Sequence, residues 1–382
     1  MDCRKIDRRA FVRDGSALVA CAVAGSSLGA ERPQESPDPR QIVNYHQQMH
    51  YRRLGKTCLM LSELSLGGHW RGRDGGGFWP SFPGDTVPDD VATNRTEVVS
   101  DCIDRGMNYL DITTASECQA YGLALKGRRE KMIVGADDYR LCPRNPTNRS
   151  VKAQIQNVEE CLRRLEIEYL DIWRVQALQA GGHSDAEVSA WIEAFQKLRQ
   201  AGKAKHFGIS THCRPWIQRV VATFPEVEMV IFPCTAKTRQ AQLPPTKDNV
   251  VEGTMPPAWH SDTSESIFDA VQRKDVGLVT IKPFIGGALF PTPKKFPVLG
   301  EGSREENDLA RLTLQCVLAN KAITAVVPGL TTVHEVACAA SASHLRPLGM
   351  TLEEKRWLAR RTDDCWQHLP DHYAWLRDWE QV

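Results

Sequence analysis

The sequence predicts an α/β protein folded as a (β/α)8 barrel. Segments typical of strands and segments typical of helices alternate eight times along the chain. The strand segments are short and apolar, as expected where both faces of a sheet are covered by helices. The chain has 382 residues, which is enough for a barrel that needs roughly 250 residues and grows with insertions. The chemistry of such a barrel lies in the loops at the carboxyl ends of its strands.

The predicted strands are each bounded by turn-forming or charged residues. They cover 64–68, 107–110, 132–134, 169–176, 202–211, 229–233, 276–282 and 322–327. The predicted helices between them carry apolar residues on one face; Val98, Val99, Cys102 and Ile103 in the first are an example. These helices cover 96–105, 116–126, 150–165, 185–200, 216–224, 265–273, 305–320 and 333–342.

Three further regions lie outside this alternation. Two long segments rich in Gly and Pro, 71–90 and 237–261, exceed an ordinary connection and are expected to lie over the barrel mouth as lids or partner surfaces. Residues 344–382 hold another helix, 351–361, and a tryptophan-rich stretch. We expect this C-terminal helical tail to pack against the barrel.

The first 30 residues are predicted to be a twin-arginine-type signal peptide rather than part of the fold. Arg8 and Arg9 precede a mildly apolar stretch and then small residues, which is the order of an export signal. Export to the periplasm or cell envelope is therefore expected. Cys21 also fits a lipoprotein box, although the apolar run before it is short. Residues 31–50, rich in Pro, Gln and Arg, are predicted to be a linker.

Composition and charge exclude several functional classes. The formal net charge is +1, so no basic excess points to nucleic acid or to an anionic membrane. There is no apolar run of about 18 residues, so no stable transmembrane span is expected. The 12 cysteines are scattered without a C-x-x-C pair, so their spacing predicts neither a zinc site nor an iron–sulfur site.

The segment Gly106–Ala136 resembles the aldo/keto reductase superfamily. There the loop after the second barrel strand reads Asp-Thr-Ala-x-x-Tyr-Gly, and its Asp and Tyr are catalytic. In this chain Asp111 begins the loop and Ser116 stands at the tyrosine position. The resemblance extends over 51–343 and implies that a β-hairpin, 51–62, closes the barrel floor.

The resemblance implies an oxidoreductase that uses NADP or NAD on a small molecule, for example a sugar-like one. Four residues are catalytic in that family, and this chain keeps Asp111. Ser116, Asp137 and Gln176 replace the tyrosine, lysine and histidine. A serine hydroxyl is far too weak a proton donor near neutral pH to replace a tuned phenol. We therefore do not expect ordinary aldehyde reduction with NADPH.

The positions that resemble the family's cofactor contacts are also altered. They are Ser210, Thr211, Cys234, Gly286, Gly287, Gly329, Thr331 and Thr332. Cys234 replaces a tyrosine that stacks on the nicotinamide and offers no aromatic face. Thr331 and Thr332 replace a cation for the adenosine phosphate, and Glu335 and Ala339 replace adenine contacts. Binding of NADP, of NAD, or of neither is thus left open.

Three functions compete for the mouth, where His69, Asp111, Asp137, Gln176, His212 and Lys282 are expected to gather. The first is a divergent oxidoreductase with a relocated acid and base, for example Lys282 paired with an aspartate. The second is a non-catalytic ligand-binding barrel, a pseudoenzyme, in the cell envelope. The third is a metal-dependent isomerase or lyase whose ion is held by His69, Asp111, Asp137 and His212.

Overall fold

The computed structural model of the protein describes residues 38–70, 82, 86–238, 266–290 and 302–379. The predicted signal peptide, 1–30, lies outside these residues, and so do most of the two insertions predicted at 71–90 and 237–261. Within the described part of the chain, no helix is long and apolar enough to cross a membrane.

Ten strands among the described residues form a small hairpin and a barrel. Strands β1 (Tyr51–Arg53) and β2 (Met60–Ser62) pair antiparallel. The other eight strands are parallel and lie side by side in chain order. They are β3 (Leu66–Gly67), β4 (Tyr109–Ile112), β5 (Ile133–Ala136), β6 (Leu170–Gln176), β7 (Ala204–Ser210), β8 (Met229–Pro233), β9 (Gly277–Ile281) and β10 (Ala325–Val327). A parallel bridge between Leu64 and Val326 joins the first strand to the last, so the predicted (β/α)8 barrel is confirmed.

In the part of the chain that the structure describes, eight helices surround the strands, and a ninth belongs to the tail. They are α1 (Asp89–Asp104), α2 (Ala115–Leu125), α3 (Val151–Leu165), α4 (Asp185–Gln200), α5 (Arg214–Thr223), α6 (Ile267–Arg273), α7 (Arg304–Leu318), α8 (Val333–Leu345) and α9 (Leu352–Gln367). Helices α2, α4, α7, α8 and α9 begin with a capping box, in which a Ser or Thr and a Glu three residues later satisfy each other's backbone donors.

The observed elements lie within a few residues of the predicted ones, with two differences that matter. Helix α1 begins at Asp89 instead of at residue 96, because Pro88 and two acids in the first turn favour an earlier start. Strand β4 continues to Ile112, so Asp111 lies inside the strand and points into the barrel.

Two apolar layers hold the barrel together. The inner layer includes Tyr109, Ile172 and Ile231, and below them Leu54 and Leu61 from the hairpin region. The outer layer fills the space between strands and helices. The hairpin therefore closes the floor as expected, and the opposite end, where the strands finish, remains available for a site.

Residues 38–50, the second half of the segment predicted to be a linker, pack on the barrel. The amide of Asn44 donates to the carbonyl of Ile103 at 2.8 Å, and the His50 N–H donates to Ser343 Oγ at 3.1 Å. Met49 is buried. These contacts make 38–50 part of the folded domain.

The C-terminal tail packs on α7 and on the loop after β9, as expected. Leu309 and Leu312 of α7 meet Leu358 and Trp366 of α9 in one buried cluster. A 3-10 segment, Asp371–Trp379, follows α9 and reaches the mouth of the barrel.

Candidate active site

A cavity of about 1070 Å³ opens at the carboxyl ends of the strands, which is large enough for a cofactor and a small ligand. Five of the six residues expected at the mouth line it: His69, Asp111, Gln176, His212 and Lys282. Ser116, at the predicted tyrosine position, also lines it from the first turn of α2.

Asp111 forms a buried ion pair with Arg174 at the base of the cavity. Side chains alternate along β6, so Trp173 faces the helices and Arg174 faces the barrel interior, as the alternation predicts. Arg174 Nε donates to Asp111 Oδ1 at 2.6 Å, and Tyr109 OH donates to the same oxygen at 3.1 Å. Burial raises the pKa of Asp111, and the guanidinium of Arg174 counteracts that rise. Asp111 thus has a cationic partner from β6, which the family pattern did not suggest.

Glu117 is a fully buried carboxyl group that borders the cavity. It closes the capping box of α2 with Thr114, and its Oε2 accepts from the N–H of Thr113 at 2.6 Å. A Cβ placed on Gly68 would lie 1.9 Å from Oε2, so any side chain at this position would displace the carboxyl group. Burial raises the pKa of Glu117 to about 7, although the hydrogen bonds from Thr113 oppose the rise.

His69 contacts this carboxyl group from the end of β3. Its Nδ1 lies 2.9 Å from Thr113 Oγ1 and 3.4 Å from Glu117 Oε1. The exposed fraction of its side chain is 47%, and the ring lines the cavity. Burial of the ring, together with nearby cations of which Lys282 is the first, lowers the pKa of His69 to about 4. His69, Thr113 and Glu117 therefore form a hydrogen-bonded acid–base group on the cavity wall.

The neighbouring Trp70 fixes the position of His69. Trp70 is completely buried, meets Tyr121 edge-on at 5.3 Å and lies under the guanidinium of Arg95 at 4.3 Å. Tyr121 OH donates to the carbonyl of Gly67 at 2.8 Å. These contacts hold residues 68–70 in place directly after β3.

Asp137 does not face the cavity, so its expected place at the mouth is wrong. Its Oδ1 accepts from Asn157 Nδ2 at 2.7 Å and from Trp173 Nε1 at 3.3 Å, and its Oδ2 accepts from the Gln176 N–H at 2.9 Å. The chain leaves β5 at Ala136, so strand alternation no longer fixes where Asp137 points. Burial raises its pKa to about 7.

Gln176 lines the cavity but uses both amide hydrogens on the backbone. Its Nε2 donates to the carbonyls of Thr113 at 3.0 Å and Asp137 at 3.1 Å. Gln176 therefore connects β6 to the loops after β4 and β5.

Cations and aromatic rings form the opposite wall. Lys282 Nζ lies 5.7 Å from the ring of Tyr373, and burial lowers the pKa of this lysine to about 8, with Arg144 adding to the effect. His212 stacks on Trp375 at 4.6 Å, and burial holds its pKa well below the usual value. The tail was expected only to pack, yet Tyr373 and Trp375 both line the cavity.

The predicted cofactor positions divide into two groups. Those that line the cavity are Ser210, Gly286, Gly287, Gly329 and Thr331. Among the described residues, the wall does not include Thr211, Cys234 or Thr332. The Thr211 hydroxyl donates to the Leu178 carbonyl at 2.9 Å, Cys234 is buried beside Arg214, and Thr332 caps α8. Ile281 lines the wall instead of Cys234.

The four candidate metal ligands do not converge. Asp111 pairs with Arg174, which competes with a cation, and Asp137 faces Asn157. In the part of the chain that the structure describes, no group of three or more His, Cys, Asp or Glu side chains is arranged to hold a metal ion.

Comparison with known proteins decides the family. Residues 89–348 match the sequence model of the Aldo/keto reductase family. The chain belongs to the aldo/keto reductase family. It is therefore an aldo/keto reductase-like oxidoreductase of a fold that binds small-molecule substrates, as the resemblance implied.

Individual relatives agree with this assignment. L-galactose dehydrogenase of Arabidopsis thaliana is 26% identical over 326 residues, covering 79% of this chain and 91% of that protein. The holo form of an aldo-keto reductase from Bacillus halodurans has a TM-score of 0.55 at 22% identity, covering 82% and 96% of the two chains. An aldo-keto reductase from Klebsiella pneumoniae in complex with NADPH has a TM-score of 0.56 at 16% identity, covering 82% and 94%. At these identities the solved structures support the fold.

Sequence reasoning missed three contributors to this aldo/keto reductase cavity. Arg174 could have been noticed as a charge inside an apolar strand. Glu117 follows Thr114 at capping-box spacing, which explains its backbone contacts but gives no sign of its burial. Arg144 lies in an irregular loop, and no sequence signal placed it on the cavity wall.

Proposed function

We propose that this protein is an NAD-linked oxidoreductase that interconverts a hydroxyl and a carbonyl group on a small molecule, with His69 and Glu117 transferring the proton. The observation that carries the proposal is the hydrogen-bonded group of His69, Thr113 and Glu117 on the wall of the family's cavity. Ser116, at the tyrosine position, lacks the acidity for this step.

The acid–base logic follows from the two side chains. With the pKa of Glu117 near 7, the carboxyl group exchanges a proton close to neutral pH, where general acids and bases are most effective. Thr113 Oγ1 lies 2.8 Å from Glu117 Oε2 and 2.9 Å from His69 Nδ1. A proton can thus pass from Glu117 to the imidazole, and the half-exposed ring hands a proton to a carbonyl oxygen in the cavity. Oxidation of an alcohol runs the same transfer in reverse.

Asp111 and Arg174 provide a fixed charge pair beneath this group. An arginine does not titrate in the physiological range, so Arg174 has no role as an acid. It donates to Asp111 and to the carbonyl of Ile112 at 2.9 Å, which holds the end of β4 beside Thr113. The pair positions the proton-transfer group without exchanging protons.

The cavity suits a dinucleotide without a 2′-phosphate on its adenosine ribose. Gly286 and Gly287 have φ of 60° and 93° and line the cavity. Tyr373 packs against Gly286, so we propose that a pyrophosphate approaches the backbone at Gly287. The far end of the cavity is bordered by Glu306 and Glu335. Carboxylates there accept ribose hydroxyls and repel a 2′-phosphate, so we propose NAD over NADP. Bound, the nicotinamide supplies or accepts the hydride.

The test is calorimetric titration of the purified protein with NAD and NADP, followed by an oxidation assay. L-galactose is a suitable first substrate because a relative of this chain is an L-galactose dehydrogenase. We expect tighter binding of NAD than of NADP, and oxidation that accelerates as pH rises through 7 because Glu117 must accept the proton. If neither dinucleotide binds, the oxidoreductase proposal fails and a non-catalytic ligand-binding barrel becomes the better description.

We also propose that the protein is exported to the cell envelope, because Arg8 and Arg9 precede an apolar stretch and small residues. Fractionation of cells expressing the full chain should recover it outside the cytoplasm. A variant with Arg8→Lys and Arg9→Lys should remain inside. Equal distribution of both proteins would reject the proposal.

A further inference from the structure

We propose that Arg144 and Lys282 form a subsite for the carboxylate of an acidic substrate, such as a sugar acid. The inference rests on the proposed oxidoreductase function, which it extends by naming the class of substrate. It depends on the positions of the two cations, on the charge balance of the cavity and on the separation of these cations from the nucleotide end.

Arg144 is held with its guanidinium group at the cavity wall. Its Nε donates to the carbonyl of Ala177 at 2.8 Å, and the guanidinium carbon lies 5.4 Å from the ring of Tyr139. These contacts fix one edge of the planar group, and its two NH₂ groups form no ion pair with a carboxylate among the described residues. A fixed guanidinium with unused donors suits a carboxylate, which accepts two parallel hydrogen bonds.

Lys282 approaches from the other side of the mouth. It follows β9 directly, with a φ of 59°, and its ammonium group lies 5.7 Å from the ring of Tyr373. Among the residues that the structure describes, no carboxylate forms an ion pair with it. The loop after β5 and the end of β9 therefore present two cations across the same cavity.

The remaining charges near the strand ends do not compensate these cations. Asp111 is already paired with Arg174 at 2.6 Å. Glu117 is buried and titrates near neutral pH, so it carries only part of a charge. A ligand anion is the natural partner for two cations in a partly enclosed cavity, where charges are poorly screened.

A phosphate of the nucleotide is the competing source of this anion. The glycine that suits a pyrophosphate, Gly287, belongs to the loop after Lys282, whereas Arg144 is held at the end of β6 by the Ala177 carbonyl and its charge acts on His212. A group that touches both Arg144 and Lys282 lies near His69, since burial and both cations lower the pKa of that imidazole. That place is next to His69, where the substrate must react, so we assign the anion to the substrate.

The test is a fluorescence titration of the full-length protein, using Trp375 in the cavity as the reporter. The probes are D-glucuronate and, for comparison, neutral D-glucose. We expect saturable binding of D-glucuronate at least about tenfold tighter than that of D-glucose. Arg144→Gln and Lys282→Gln should each weaken D-glucuronate binding about tenfold or more, as expected on losing a charge-assisted hydrogen bond.

Arg140→Gln is the matched control. Arg140 lies on the same loop and lines the cavity, but its charge is balanced by Asp138 at 3.4 Å. We expect this variant to bind D-glucuronate within about twofold of the original protein. Equal weakening in all three variants would overturn the subsite, because the effect would then reflect net charge alone. Thermal unfolding of each variant checks that the fold is intact.

ADP and NAD titrations separate this proposal from the proposed function. If Arg144→Gln weakens ADP as strongly as D-glucuronate, the anion belongs to the nucleotide and the substrate assignment is overturned. If D-glucuronate binds in a manner that depends on Arg144 while neither dinucleotide binds, the subsite stands and the oxidoreductase proposal fails. If D-glucuronate and D-glucose bind equally, the subsite is rejected whatever the cofactor result.

Discussion

Two loops of this barrel share a local sequence and differ in their surroundings. Residues 113–117 after β4 and residues 331–335 after β10 both read Thr-Thr-x-x-Glu. In both, the glutamate closes a capping box and accepts from the N–H of the first threonine at 2.6 Å. Glu117, however, is fully buried beside His69, whereas Glu335 is only partly buried. The same local motif thus holds one carboxyl group inside the protein and leaves the other partly exposed.

The difference comes from what packs against each carboxyl group. Gly68 has no side chain, so the backbone after β3 lies directly on Glu117 Oε2 and excludes water. Glu335 keeps part of its surface exposed. Burial disfavours the charged form of a carboxyl group, and it raises the pKa of Glu117 to about 7.

The largest expected effect is on the turnover rate, which should differ between variants of the two glutamates. Glu117→Gln keeps a capping residue, because glutamine also serves at this position, but removes the acid. We expect the turnover rate to fall by about 10²-fold or more and the change in rate near pH 7 to disappear. Glu335→Gln, the matched control, should keep turnover within about threefold. Equal losses in both variants would mean that the two loops have the same role.

A second effect concerns stability and pH. Burial raises the pKa of Glu117 from 4.5 to about 7, so the folded protein binds this proton more tightly than the unfolded chain does. Stability is then full below about pH 4.5 and falls as pH rises to 7, by about 3 kcal/mol at most for this group. In Glu117→Gln, chemical denaturation at pH 5 and pH 8 should show a smaller fall. Burial also raises the pKa of Asp137 to about 7, so part of the fall in stability with pH should remain in this variant.

The same measurement on Glu335→Gln provides the contrast. Its pH dependence should match that of the original protein, because this carboxyl group is only partly buried. A reduced fall in the Glu335→Gln variant, or an unchanged fall in Glu117→Gln, would contradict the argument from burial.

A third effect tests the cover over Glu117. Gly68→Ala places a methyl group where Glu117 Oε2 now lies, so the carboxyl group must move away from Thr113 and His69. We expect a destabilisation of about 1–3 kcal/mol and a loss of turnover of about tenfold. In a Glu117→Gln background the same change should cost no further turnover, since no acid remains to be displaced. Additive losses would show that Gly68 acts independently of Glu117.

The smallest effect concerns the nucleotide end. Glu335→Gln removes a negative charge that opposes a 2′-phosphate, so the ratio of NADP to NAD affinity should rise by about threefold to tenfold. Glu117→Gln should leave that ratio unchanged. Calorimetric titration of both variants with both dinucleotides measures it. If only Glu117→Gln changed the ratio of NADP to NAD affinity, the adenosine end of the cofactor would lie at the loop after β4, and the proposed placement at Glu335 would be wrong.

The alternation of elements was predictable because each strand and helix carries its own pattern. Helix α4 and strand β8 have the predicted bounds, since polar caps and turn residues flank them. The start of α1 was missed because a proline and two acids began the helix inside a segment that resembled an insertion. The pairing of Asp111 on β4 with Arg174 on β6 was not predicted, because it depends on the curvature of the closed sheet.

The sequence by itself determined the barrel, the family and the retained Asp111. Local periodicity, capping pairs and a short motif encode those features, and each is read within a few residues. Only the tertiary structure decided that Asp137 turns away from the cavity, that Arg174 faces Asp111, and that Glu117 is buried beside His69. Burial and pairing arise between residues distant in the chain, and they determine the pKa of a carboxyl group more strongly than its neighbours in sequence do.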